Sequence, residues 1–137
     1  MVTLDNRTLT FSSKSENIAM VESMIDSLCD RYEISEDHYG NILVAVTEAV
    51  TNAIQHGNKN DSSKSINLTF QPLETFLTFS ITDEGFGFDF TNLPDPTDPE
   101  NIEKPHGRGI FLMRHLADKV DFENEGRKVI LSFQIAA

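Results

Sequence analysis

At 137 residues, with 39% hydrophobic and 24% charged residues, the chain has the size and composition expected of one globular domain, spanning residues 1–137. Twenty-two acidic residues against 11 basic ones leave a formal charge of -11, which argues against general binding to nucleic acid, whose phosphates would repel it. A lone Cys29, no apolar run near the roughly 18 residues of a membrane span, and an opening MVTLDNRTLT without a basic or apolar leader all point to a cytoplasmic protein without disulfides.

Residues 2–11 alternate weakly (Val2, Leu4, Leu9, Phe11) and predict a strand bent near Asp5-Asn6. Ser13-Lys14-Ser15-Glu16 matches a capping box, and Ile18, Val21, Ile25, Leu28 and Tyr32 then predict a first helix in which Cys29 is a packing residue. Ser35 caps a second helix that carries Tyr39, Leu43, Val46, Val50, Ala53 and Ile54 as an apolar stripe and ends at His56-Gly57. Glu48, Asn52 and His56 are each four apart, so they stack on one line, about 200° round the helix from Val46 and Val50. That line is expected to face away from the core. Asn58 to Ser63 reads as polar turn material.

Ile66, Leu68 and Phe70 alternate with polar residues, as do Leu77, Phe79 and Ile81 after a tight connection at Pro72-Leu73-Glu74. Asp83 keeps the parity of the second set, so a carboxylate is expected on the apolar side of its strand, where it needs a donor partner. Residues 88–106 hold four prolines and no periodicity, which in a compact domain suggests a functional lid. Gly107-Arg108-Gly109 then opens a short helix with Ile110, Met113, Leu116 and Ala117 inward. Val120 and Phe122, a turn at Asn124-Glu125-Gly126, and Val129, Leu131, Phe133 and Ile135 predict a closing hairpin. The fold class is α/β: a two-layer sandwich with three helices on one face of a mixed, mainly antiparallel sheet.

Three pieces call for one chemistry: the Glu48–Asn52 line, Asp83-Glu84-Gly85-Phe86-Gly87, and Gly107-Arg108-Gly109 at a helix start. Gly85 and Gly87 allow close approach of a ligand, and a helix N-terminus behind Gly107 and Gly109, with the cation of Arg108, suits phosphate oxygens. Asn52 offers a neutral oxygen to a hard cation such as Mg²⁺, and Glu48 is placed to accept a proton from a hydroxyl or water. The P-loop signature and the eukaryotic-type protein-kinase set are both absent, and Leu112 stands where a dinucleotide fingerprint needs its third glycine.

In this order the pieces resemble the GHKL superfamily of ATP-binding domains, and within it the anti-sigma-factor serine/threonine kinases of bacteria. TEAVTNAIQHGN (Thr47 to Asn58) is similar to that family's N-box, TDEGFGFD (Thr82 to Asp89) to its first glycine box, and HGRGIFLMRHLADKV (His106 to Val120) to its second. The resemblance implies a Bergerat-type ATP-binding fold with ATP and Mg²⁺ as cofactors. Asp83 would accept from the adenine amino group, Asn52 would hold Mg²⁺ between the phosphates, and Glu48 would be the general base. Gly85 and Gly87 would wall the base, Gly107, Arg108 and Gly109 would cradle phosphates, and residues 88–106 would close as the lid. His56 matches the motif too, though a histidine in a last helical turn suits the helix dipole whatever the ligand. The implied role is ATP-dependent phosphorylation of a STAS-domain anti-anti-sigma protein together with sequestration of a sigma factor, by a homodimer that binds neither nucleic acid nor membrane. A nucleotide-dependent partner-binding switch without kinase activity is the alternative, and the ATPase module of a histidine kinase is disfavoured for lack of a phosphoacceptor hairpin. One departure stands out. Members often carry threonines before the last strand, where this chain reads Glu125-Gly126-Arg127-Lys128-Val129.

Overall fold

Alternating strands leave one apolar face that helices must cover, and the computed structural model shows how this chain covers it. It describes residues 7–73, 75–87 and 105–135, with residues 105–108 through their backbone alone. The elements are β1 (Arg7–Ser12), α1 (Ile18–Arg31), α2 (Glu36–Asn52), β2 (Ser65–Pro72), β3 (Phe76–Thr82), α3 (Pro105–Leu116), β4 (Lys119–Glu123) and β5 (Lys128–Gln134). The strands form one sheet in the order β1-β2-β3-β5-β4. All four pairings are antiparallel, so the parallel component of the expected mixed sheet is not found among the described strands. The expected start of β1 before Arg7, the residue Glu74 and most of the expected lid, residues 88–104, lie outside the described residues.

The core follows the period-two and helical patterns. Ile66, Leu68, Phe70, Leu77, Phe79, Ile81, Leu131 and Phe133 are buried on the sheet's inner face, against Val21, Ile25 and Leu28 of α1 and Ile42, Val46 and Val50 of α2. Phe70 and Phe79 lie 5.2 Å apart between ring centroids and Phe79 and Phe133 6.0 Å, a tilted run of rings across three neighbouring strands. Cys29 is buried, and burial, with the Asp26 carboxylate nearby, pushes its thiol up to about 11. It is therefore an unreactive packing residue at neutral pH.

Ser35 caps α2, its side chain accepting from the His38 N–H. Ser13 does not cap α1. The first turn, Ser15–Asn17, has no side-chain cap, and the Ser13 hydroxyl instead donates to the Lys64 carbonyl at 2.8 Å. A third difference concerns α3, which starts at Pro105, two residues ahead of Gly107. Proline suits the first helical turn, where its missing N–H has no partner to lose.

Candidate active site

The line Glu48–Asn52–His56 is half-buried, and α3 packs on α2 with its Gly109 against the Asn52 amide. Between α2, α3 and the ends of β3 and β5 lies a cleft. Asn52, His56 and Gly57 line it from α2 and the turn after it, Asp83 and Gly87 from the loop after β3, and Arg127 from the turn before β5. Its floor is apolar: Ile81, Ile110, Met113, Phe122 and Val129. An apolar cleft with a few convergent polar groups suits a planar base carrying polar edges.

Asp83 is half-buried, as its strand parity predicts. Burial raises its pKa above the ordinary carboxylate value, against the lowering influences of the Gly85 N–H, Arg127 and Lys64. Its Oδ1 accepts from the Gly85 N–H at 2.8 Å, and its own N–H donates to the Arg127 carbonyl at 2.9 Å. The carboxylate lies directly against Gly57, where a Cβ would stand 2.4 Å from Oδ2, while a Cβ on Gly85 would stand 2.1 Å from the Gly57 carbonyl oxygen. Two glycines thus let the end of α2 and the Asp83 loop touch backbone to backbone. Gly87, at φ +82°, closes on the Glu125 carbonyl in the same way.

The raised pKa has a consequence for stability. A folded-state pKa above the unfolded value means the native protein binds the proton first, so stability falls as pH rises from the ordinary Asp value through the raised one. Above that window the ionised Asp83 is a net cost to the ligand-free fold. We expect Asp83→Asn to raise the thermal midpoint of the nucleotide-free protein at neutral pH and to flatten its pH dependence in that window. Thermal melts between pH 4 and 8 check this.

Asn52 sits one turn before the end of the helical run. Its Nδ2 is buried and, among the described residues, has no hydrogen-bond partner. Gly109 of α3 is pressed against it, since a Cβ there would lie 2.6 Å from Nδ2 and 3.2 Å from Oδ1. A buried N–H donor left unpaired needs an acceptor, which a phosphate oxygen of a nucleotide would supply, and the neutral oxygen of the same amide is of the kind that serves a hard cation such as Mg²⁺. Among the described residues no three His, Cys, Asp or Glu side chains converge as a metal site, so such an ion would depend on the nucleotide's own oxygens. Glu48 does not line the cleft; it is half-buried one turn back along α2, about 6 Å of axial rise from Asn52. Gly107 and Arg108 lie in the first turn of α3, and the Arg108 side chain is outside the described residues.

Asn58 escaped the sequence reading. It opens the expected turn, its carbonyl accepting from the Asp61 N–H at 3.0 Å, but it is 1% exposed and its amide ties three segments together. No local pattern marks it, since its partners Ser13, Ser65 and Glu84 are distant in sequence.

The model of the histidine kinase-like ATPase domain matches residues 11–133, almost the whole chain. The chain belongs to the histidine kinase-like ATPase domain family. It is 30% identical over 131 residues to the serine-protein kinase RsbW of Oceanobacillus iheyensis, covering 90% of this chain and 83% of that one. With the serine-protein kinase RsbW of Bacillus cereus it shares 29% over 127 residues, covering 88% and 79%. The crystal structure of the RsbU and RsbW domains of Rv1364c from Mycobacterium tuberculosis superposes with a TM-score of 0.68 at 14% identity. That match covers 97% of this chain and about a third (33%) of the solved one, and it speaks to the shared fold alone. Membership of an ATPase domain family implies that this chain uses ATP.

Proposed function

We propose that this protein is an ATP-dependent serine/threonine protein kinase and anti-sigma regulatory factor. Its substrate is a hydroxyl on a STAS-domain anti-anti-sigma protein, and the kinase itself binds and sequesters a sigma factor. The observation that carries the reading is the pairing of a half-buried acceptor, Asp83, with a buried donor that has no partner among the described residues, Asn52 Nδ2, in one apolar cleft. Relatives of the same length class that are named serine-protein kinases support it. We further propose a single ATP-binding unit, working as a cytoplasmic homodimer. No helix among the described residues is long and apolar enough to cross a membrane.

The chemistry follows from the chain's own groups. Asp83 accepts the exocyclic amino group of adenine, while the cleft's aliphatic floor takes the faces of the ring. Bound Mg²⁺ would neutralise charge on the phosphates, with Asn52 as its protein ligand. Glu48, one turn from Asn52, takes the proton of the incoming hydroxyl; the hydroxyl oxygen bonds to the γ-phosphorus as the β–γ bridging bond breaks and ADP leaves. Gly107, Arg108 and Gly109, in the first turns of α3, would serve the phosphates.

Transfer of label from γ-labelled ATP to a serine or threonine of a STAS-domain partner tests the reading. Labelled partner supports the kinase. ATP binding with no transfer would leave the nucleotide-dependent switch, a reading that the position of Glu48 outside the cleft lining keeps in play.

A further inference from the structure

Base recognition by an aspartate requires that its loop be held still, and three successive amides of that loop are each tied to a different acceptor. The Asp83 N–H donates to the Arg127 carbonyl at 2.9 Å, the Glu84 N–H to Asn58 Oδ1 at 2.7 Å, and the Gly85 N–H to Asp83 Oδ1 at 2.8 Å. Only the middle tie comes from the side chain of another element. Asn58 spends its whole amide on this arrangement: Nδ2 donates to Ser13 Oγ at 2.7 Å and to the Ser65 carbonyl at 3.0 Å, while Oδ1 takes the Glu84 N–H. That set of partners fixes the orientation of the amide, because a flip would set NH₂ against an N–H and an oxygen against a carbonyl. The residue's own N–H donates to the Ala53 carbonyl at 2.8 Å, five residues back, which closes the widened last turn after α2. The preceding residue, Gly57, carries the carbonyl that abuts Gly85 and the Cα that abuts the Asp83 carboxylate. One buried side chain therefore sets both sides of the contact that aims Asp83.

We infer that Asn58 is a positioning residue for base selectivity, acting through the Asp83-Glu84-Gly85 loop on the exocyclic amino group of adenine. This rests on the reading of the cleft as an ATP site. Asn58 touches no nucleotide itself; it stops the carboxylate from turning away from the base edge.

Calorimetric titration with ATP and with purine riboside triphosphate, which lacks the amino group, tests it. The unmodified protein should prefer ATP by roughly 10–100-fold, the worth of a hydrogen bond to a charged acceptor. Asn58→Ala should cut that ratio by about fivefold or more through weaker ATP binding, while the analogue's affinity moves less than about twofold. Ser13→Ala, which removes the other end of one Asn58 bond, should lower the melting temperature and leave the ratio unchanged. If Asn58→Ala does not fold, Glu84→Ala serves instead: Glu84 is exposed, and its carboxylate holds the same loop to the Ser65 N–H at 2.5 Å. Its ratio should fall in the same direction by about two- to threefold. A variant that weakens both ligands equally, or keeps the full preference for ATP, overturns the role of Asn58 and leaves the ATP reading standing. Failure of the unmodified protein to bind ATP overturns both.

Discussion

Glu48→Ala is expected to bind ATP as tightly as the unmodified protein and to transfer phosphate to its partner roughly 10²–10⁴ times more slowly, the usual contribution of a positioned general base. The separation of the two effects follows from the geometry. Glu48 lies a full turn of α2 from Asn52 and outside the lining of the cleft, so its removal leaves the base pocket and the Asn52 amide in place. Ala is a strong helix former, and the position is only half-buried, so the helix itself is not at risk. Single-turnover transfer beside an ATP titration reads both quantities. Unchanged transfer would remove Glu48 from the role of base, and lost ATP binding would place it in the nucleotide pocket.

Gly85→Ala is expected to destabilise the fold by about 1–3 kcal/mol, as overpacking does, and to weaken ATP binding by roughly 10–100-fold through loss of the aligned Asp83 acceptor. The added Cβ would meet backbone on one side, 2.1 Å from the Gly57 oxygen and 2.7 Å from its carbon, and the Asp83 carboxylate at 3.0 Å on the other. Backbone cannot swing aside as a side-chain tip can, so the end of α2 and the Asp83 loop must part. Gly40 is the internal control. It lies within α2 with nothing inside 4 Å of an added Cβ, so Gly40→Ala should stabilise the protein by about 0.5–1 kcal/mol and leave ATP affinity alone. Denaturant unfolding and calorimetry on the two variants check the contrast; equal effects would mean that close approach at Gly85 does not shape the site.

Much of this site was legible because local periodicity and burial agree. The alternation Leu77-Phe79-Ile81 carried Asp83 onto the apolar side, and the structure finds its carboxylate half-buried with a raised pKa. Spacing by four put Glu48, Asn52 and His56 in one row, but periodicity within one helix cannot say what covers that row. The apolar stripe alone implied a solvated back, whereas Gly109 of α3 presses on Asn52. Ser13 and Asn58 were read from their neighbours as a cap and a turn residue. They are bonded to each other at 2.7 Å across 45 positions, a contact that no local pattern announces. The Gly107-Gly109 pair signalled a phosphate loop ahead of a helix. The helix instead begins at Pro105, and Gly109 serves the close crossing of α2 and α3, a packing role invisible until the two helices are brought together.

The central claim is that the cleft takes ATP through Asp83 with a divalent cation beside Asn52. Its most direct measurement is calorimetric titration with ATP, with and without Mg²⁺, on the unmodified protein and on Asp83→Asn. Binding that strengthens with Mg²⁺ and is lost in a folded, thermally more stable Asp83→Asn variant is the predicted result. Binding of equal strength in the two proteins, or none in the unmodified protein, would contradict it.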